Sequence, residues 1–517
     1  MNPIELGILV SRIEALCDEM GVQLRRAAFS PNIRDRLDYS CALFDAAGEL
    51  CAQAAHIPVH LGSMAYAMRD IVGAMEWRDG DMVILNDPYK GGTHLPDVTV
   101  ISPCFIDSEL AGFVANRAHH ADIGADSPGS MPLSRSLAEE GLLISPVHLY
   151  RKGVLETEVW QWLLHSLRNP EHGAGDFNAQ VSANRRGLER LRQLIGGMGL
   201  AAYRRGIREI NEYAARLGRE TLESIRPGSY RCRDFMDDDG LGHMDIPIEV
   251  CVRREEARIV VDFAGTAPQV EGNINCPLPV TAAAVLYVFR CLMPSHAPAC
   301  SGLFRMIDIA APAGCLVNAR PPAAVVAGNV ETSSRIVDAV IGALQPALSM
   351  RMPAASQGGM NNLALGSMRA GATWDYYETI GGGMGAHAMG AGLSAVQTHM
   401  TNTLNTPIEI LEMKYPLRVT EYAVRRESGG AGVHAGGDGI IREFEFLKAA
   451  QGTLLSERRR HAPWGLAGGA AGKRGENRLN GRELPEKSSF QLQPGDRLRI
   501  ETPGGGGYGQ AGRRGSG

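Results

Sequence analysis

What this chain lacks narrows its identity first. None of its ten cysteines falls in a C-x-x-C pair, and Cys291 and Cys300, the closest of the last group, stand nine apart. That spacing argues against a zinc ribbon or a dithiol redox motif and fits a reduced compartment. No block of like charge is present: 52 Lys and Arg stand against 57 Asp and Glu, a formal charge of −5. Neither nucleic acid nor an anionic membrane is indicated as a partner. The longest apolar run, residues 277–289, stops at Arg290 and is too short to span a bilayer. The opening Met1-Asn2-Pro3-Ile4-Glu5 carries no basic segment of the secretory kind, so a cytoplasmic location is expected.

Nucleotide and nucleophile motifs are missing too. Gly468-Gly469-Ala470-Ala471-Gly472-Lys473 imitates a phosphate-binding loop, but Ala467 replaces its first glycine and Arg474 its Ser/Thr. Gly381-Gly382-Gly383-Met384-Gly385-Ala386 lacks the helix and acidic residue of a dinucleotide fingerprint. There is no Gly-x-Ser-x-Gly elbow. Any ATP used in the reaction is therefore expected on another chain.

Glycine is what the sequence has in excess, 62 of 517 residues, against an average near 7%. It gathers in clusters such as Gly504-Gly505-Gly506-Gly507 without a fibrous period, so tight turns and close backbone approaches are expected. Residues 1–28 read as a helix, with Asn2 as N-cap, Pro3 in the first turn and an apolar stripe Leu6, Leu9, Ile13, Leu16, Met20, Leu24. Two hairpins follow: 39–44 with 49–54 around Asp45-Ala46-Ala47-Gly48, and 98–105 with 110–117 around Asp107-Ser108. Helical periodicity covers 155–225, strands return at 228–275, helices are expected at 278–292 and 333–348, and short strands occupy the last hundred residues. The expectation is a multidomain α+β fold divided at 1–225, 226–420 and 421–517, the last a small β-rich unit.

The chemistry gathers in Asn86-Asp87-Pro88-Tyr89-Lys90-Gly91-Gly92-Thr93-His94-Leu95-Pro96-Asp97 and in Arg117-Ala118-His119-His120-Ala121-Asp122. A turn centred on Asp107-Ser108 sets Asp97 opposite Ala118 and Pro96 opposite His119. His94, Asp97 and His119 then converge at the open end of that hairpin. The same reasoning about residues 46–47 puts Asp38 beside Ala55 and His56 at the mouth of the first hairpin, and the two mouths can face each other. Two imidazoles and two carboxylates suit Zn²⁺, Mn²⁺ or Fe²⁺, although a lone histidine beside a carboxylate is more often a structural pair. One residue of register decides between His119 and His120. His56 and His60 flank Pro58, which rules out helical i,i+4 ligation, and read as walls of a substrate pocket, as does His120 if it is not the ligand.

These strings resemble the hydantoinase B/oxoprolinase family, which includes N-methylhydantoinase B, caprolactamase B and the acetone and acetophenone carboxylase subunits. The likeness runs nearly end to end, through residues 56–64, 86–97, 119–124, Ala327-Gly328-Asn329-Val330-Glu331-Thr332-Ser333, 397–403, 463–466 and 502–509. It implies one divalent metal on Asp38, His94, Asp97 and His119, and a hydantoinase A-type ATPase subunit that phosphorylates the substrate oxygen. Cyclic-amide hydrolysis is then the expected activity, with Asp122 and Glu140 as candidate general acid/base groups. A ketone-carboxylase subunit is the second reading and a metal-braced, non-catalytic scaffold the third.

Overall fold

The computed structural model describes residues 1–54, 57–256, 258–348, 351–367 and 373–510. Its helices are α1 (Pro3–Ala27), α2 (Pro31–Arg34), α3 (Pro58–Ala74), α4 (Thr157–His165), α5 (Pro170–Met198), α6 (Leu200–Glu223), α7 (Leu278–Leu292), α8 (Ser333–Leu344) and α9 (Ile408–Lys414). α1 starts where the sequence places it: Asn2 accepts from the Glu5 amide while Glu5 reaches back to the Asn2 amide, a reciprocal cap. Leu9, Ile13, Leu16, Met20 and Leu24 are buried. α3 is an element that the sequence pattern did not announce; Pro58 opens it at the first position, where a missing amide costs nothing. Among the described residues no helix is long and apolar enough to cross a membrane.

Seven strands, β1 (Tyr39–Asp45), β2 (Leu50–Ala54), β3 (Met82–Leu85), β4 (Asp97–Ile106), β5 (Glu109–His119), β6 (Val147–Arg151) and β7 (Val154–Leu155), form one sheet in the order β2-β1-β5-β4-β3-β6-β7. The expected hairpins exist, but their mouths do not face each other. β1 bonds directly to β5, with Tyr39 opposite Ala118, so the two hairpins lie side by side in a single sheet. The expected register is also off by one at the end that matters. Next to the turn, Ile106 pairs with Glu109 and Phe105 with Leu110 as anticipated; a bulge then adds Ala111, and from Cys104–Gly112 onward the pairing shifts until Asp97 faces His119 rather than Ala118. Gly112 permits this, because a Cβ there would lie 2.3 Å from the Phe44 carbonyl oxygen on β1. In the first hairpin Cys41 pairs with Ala54, two residues from the expected register, after a second bulge near Phe44; the anticipated neighbours of Asp38, Ala55 and His56, lie outside the described residues.

The remaining strands are β8 (Gly228–Asp238), β9 (Met244–Arg254), β10 (Ile259–Asp262), β11 (Ile307–Ala310), β12 (Asn362–Ser367), β13 (Trp374–Glu378), β14 (Leu417–Arg425), β15 (Gly439–Phe446), β16 (Ala450–Leu455), β17 (Glu476–Leu479), β18 (Arg482–Glu483), β19 (Lys487–Leu492) and β20 (Arg497–Glu501). They build sheets β11-β10-β9-β8, β13-β12-β16-β19 and β14-β15-β20-β17-β18. The architecture is α+β with several antiparallel sheets, as the sequence pattern suggests.

The glycine excess has a concrete use. Residues 503–507 run through a sheath of extended segments, and successive amides bond to different neighbours: Gly504 to the Lys473 carbonyl, Gly505 to Gly437, Gly506 to Ala355 and Gly507 to Ala470. A Cβ on Gly504, Gly505 or Gly506 would lie 1.9, 2.1 and 2.1 Å from the carbonyl oxygens of Ser428, Met384 and Trp464. Steric space, not an unusual φ, requires glycine at these positions. Gly505→Ala is therefore expected to lower stability by about 3 kcal/mol, whereas Gly7→Ala, with open space at that position of α1, should raise it by up to about 1 kcal/mol. Thermal denaturation of the two variants measures both; similar midpoints for the pair would contradict this account of the glycines.

Candidate metal centre

The start of β4 and the end of β5 bring Asp97 and His119 together, and Asp38 immediately precedes β1, its carbonyl accepting from the His119 amide at 3.0 Å. The loop before β4 is fixed by Asn86, whose side chain donates to the Leu95 and Leu142 carbonyls (2.7 and 2.9 Å) and accepts from the Ile144 amide (2.7 Å). That loop presents Thr93 and His94 to Asp97. One ligand atom each from His94, Asp97 and His119 lies within 4.8 Å of the others, and all three residues are buried.

Asp97 divides its carboxylate between two tasks. Oδ2 accepts from Thr93 Oγ1 at 2.6 Å, contacts His60 Nε2 at 3.2 Å, and accepts a longer bond from Asn329 Nδ2 at 3.4 Å. Oδ1 stands 3.2 Å from His94 Nε2 and 3.2 Å from His119 Nδ1. Burial opposes ionisation of Asp97, but the charges and hydrogen bonds of His94, His60 and His119 outweigh it and hold the carboxyl well below the usual range. Burial pulls His119 down, toward the neutral imidazole that a metal requires. Burial pulls His94 down as well, yet Asp97 more than reverses this and raises it.

These residues fit a divalent cation on the chemistry of their free atoms. His94 Nδ1 contacts the Val326 carbonyl at 3.2 Å, which fixes the proton there and leaves the lone pair on Nε2. Nε2 of His94 and Nε2 of His119 are buried without a hydrogen-bond partner among the described residues. Separations of 3.2 Å between ligand atoms match two groups sharing one ion at about 2.0–2.1 Å each. Asp38, 6% exposed, lines the same cavity with its carboxylate 4.0 Å from the Arg36 guanidinium. That cavity measures about 20 Å³ and is walled also by His60, Asn329, Tyr377, Thr379 and Thr401.

The other expected residues lie at varying distance from this cluster. His60 is in its wall, tied by Nδ1 to Ser40 Oγ (3.2 Å). His56 lies outside the described residues. His120 points to the other side of the strand, where Nε2 donates to Gln180 Oε1 at 2.9 Å and the ring packs on Phe177. It lines a separate cavity of about 620 Å³ together with Asp122. Asp122 is consumed there: it accepts from the amides of Gly124, Arg168 and Asn169 (2.9, 2.7 and 2.9 Å) and pairs with the Arg168 guanidinium. Glu140 touches the cluster at one remove, since its Oε1 accepts from Ser134 Oγ and from the amides of Val325 and Val326 (2.8, 2.8 and 2.9 Å), the segment whose carbonyl orients His94.

Sequence reasoning missed Tyr377, whose ring stacks on His119 at 4.7 Å and 12°, and Asn329 as a wall of the cavity. Asn329 sits inside a string already singled out by its likeness to relatives; no local signal marks Tyr377, which is an ordinary strand tyrosine in sequence. The loop that imitates a phosphate site, 468–473, spends its amides on main-chain carbonyls: Gly469 on Leu466, Ala470 on Ala431, Gly472 on Pro463 and Lys473 on Ser428.

Fold and cluster define an α+β protein with a buried centre of two histidines and a carboxylate at one end of an antiparallel sheet. The chain belongs to the hydantoinase B/oxoprolinase family, whose model matches residues 2–511. It is 39% identical to 5-oxoprolinase 1 of Arabidopsis thaliana over 98% of its own length, and spans only 42% of that relative. A protein of a Pseudomonas species, named for the B-type subunit of a D-/L-hydantoinase, is 32% identical over 98% of this chain and 90% of the other. The crystal structure of the ATP-dependent caprolactamase from Pseudomonas jessenii superposes with a TM-score of 0.91 at 28% identity, over 99% of this chain and 91% of that one.

Burial pushes the Glu140 carboxyl from its ordinary 4.5 up to about 7. Folding therefore takes up a proton between those values, so Glu140 costs progressively more stability as pH rises through that window. Glu140→Gln should match the native chain near pH 4 and exceed it above pH 7 by up to about 3 kcal/mol. Denaturation midpoints of the two proteins at both pH values test this; a pH-independent difference would contradict it.

Proposed function

We propose that this chain is the B-type, hydrolytic part of an ATP-dependent cyclic-amide hydrolase acting on a hydantoin, lactam or 5-oxoproline-like ring. The observation that carries the reading is the pair of buried, unpartnered imidazole nitrogens around one oxygen of Asp97. A divalent ion, zinc, manganese or iron(II), held by Asp38, His94, Asp97 and His119 would supply Lewis acidity that ionises water near neutral pH.

The chain's own residues account for the rest. A ring amide is a poor electrophile, and phosphorylation of its oxygen by a hydantoinase A-type ATPase partner makes the carbon open to water. The plant relative is more than twice the length covered by this chain, which leaves room for such an ATP-using part in one polypeptide, and the Pseudomonas relative is named as one subunit of several. Thr93, His60 and Asn329 keep Asp97 ionised and fixed, while Glu140 fixes the Val325–Val326 segment and through it the His94 tautomer. Glu140 thus acts as an orienting group in this reading. Its raised pKa and its unpartnered Oε2 also suit it to hold a proton beside the centre.

His94→Ala and Asp97→Ala, each reconstituted with the partner, are expected to lose ring opening by roughly 10³-fold while the partner continues to consume ATP. Elemental analysis should find about one transition-metal ion per native chain and a deficit in both variants. Ring opening at the native rate by either variant would refute the assignment.

A further inference from the structure

We propose that Asn329 is a further catalytic residue, the side chain that holds the attacking water in the cavity beside Asp97. The inference rests on the hydrolytic reading given above. Asn329 is 3% exposed and lines the 20 Å³ cavity with Asp38, Asp97 and His119. Its orientation is fixed by chemistry: Asp97 Oδ2 can only accept, so the Asn329 amide nitrogen must face it, at 3.4 Å. The amide oxygen is then turned to the other side, and Oδ1 has no hydrogen-bond partner among the described residues. A buried carbonyl oxygen left unpaired is costly unless a ligand or water uses it. The cavity has room for about one water molecule and not for a ring.

The backbone supports the same assignment independently. Gly328–Thr332 is a single π-helical turn running into α8, and such turns recur at functional sites because the extra residue re-aims one side chain. This one is gripped on both flanks. The Gly328 amide bonds to the Asn273 carbonyl at 3.1 Å, and a Cβ at Gly328 would lie 1.8 Å from the Asn275 carbonyl oxygen. Beyond Asn329, the buried Glu331 carboxylate accepts from the Met360 amide at 2.8 Å and from Asn362 Nδ2 at 2.6 Å. Asn329 is therefore preorganised, with one end donating to a carboxylate that contacts both histidines and the other accepting from whatever occupies the cavity.

An amide neither takes up nor releases a proton at neutral pH, so the role is orientation. Oδ1 accepts a hydrogen bond from one O–H of the water, which directs an oxygen lone pair toward the activated ring carbon.

The test reconstitutes Asn329→Ala and Asn329→Ser with the partner and measures kcat, KM, ATP consumed per ring opened, metal content by elemental analysis and thermal midpoint. Both variants should keep native metal content and midpoint, with KM little changed, kcat lowered by about 10²-fold in Asn329→Ala and less in Asn329→Ser, whose hydroxyl restores an acceptor. ATP consumed per ring opened should rise. A native kcat overturns the proposal, as does a loss of kcat matched by loss of metal, which would reduce Asn329 to a brace for Asp97. Should Asn329→Ala fail to fold, Asn329→Ser carries the comparison. If His94→Ala, run alongside, also opens rings normally, the hydrolytic reading falls; if it does not and Asn329→Ala does, only the present inference falls.

Discussion

The carboxylate of Asp97 is the constraint around which the rest is arranged. A fully buried, ionised carboxylate is tolerable only when its oxygens are matched by donors or cations. Here Oδ2 is matched by Thr93, His60 and Asn329, which come from the loop before β4, from the first turn of α3 and from the π-helical turn before α8. Oδ1 is left to the two imidazoles. Three distant parts of the chain are thereby tied to one side-chain group, and the geometry of the centre cannot change without disturbing all of them.

Support for that group extends outward in identifiable layers. Arg117, buried on β5, donates to Thr99, Ser63 and the Gly91 carbonyl and so locks the glycine loop against α3 and the sheet. Burial pulls its pKa down to about 10, with Asp97 opposing the shift. On the far side, Tyr377 covers the His119 ring and donates its hydroxyl to Asn362 Oδ1 at 2.7 Å, and Asn362 in turn donates to Glu331. The centre is thus walled by the first sheet, by β13 and by the segment before α8.

How much of this could be read from the sequence depended on the range over which the information acts. Hairpin membership was legible because alternation and turn residues are local; Asp107 and Ser108 both adopt positive φ, the signature of a tight hairpin turn. Register was not, because the Ala111 bulge exists to let β5 pass β1, a contact that neither hairpin encodes alone. The convergence of His94, Asp97 and His119 survived that error, since a one-residue shift at the open end still leaves them neighbours. The choice of His119 over His120 rested on the likeness to relatives, and the structure turns His119 toward Asp97. Least legible was the buried ionic network of Asp234, Arg335, Asp338, Glu457, Arg458 and Lys487. Most of its pairs are separated by more than 100 residues, so nothing in a local window announces them.

The glycine-lined axis at 503–507 bears on how the molecule is made. Its amides satisfy carbonyls at 355, 437, 470 and 473, and its own carbonyls receive amides from Gly383, Ala386, Gly430 and Leu466. Those sheath segments carry unpaired main-chain groups until the axis arrives. During translation they must wait, solvated and open, for residue 507 to clear the ribosome; a nascent chain halted before that point would present an open groove to chaperones rather than a finished half.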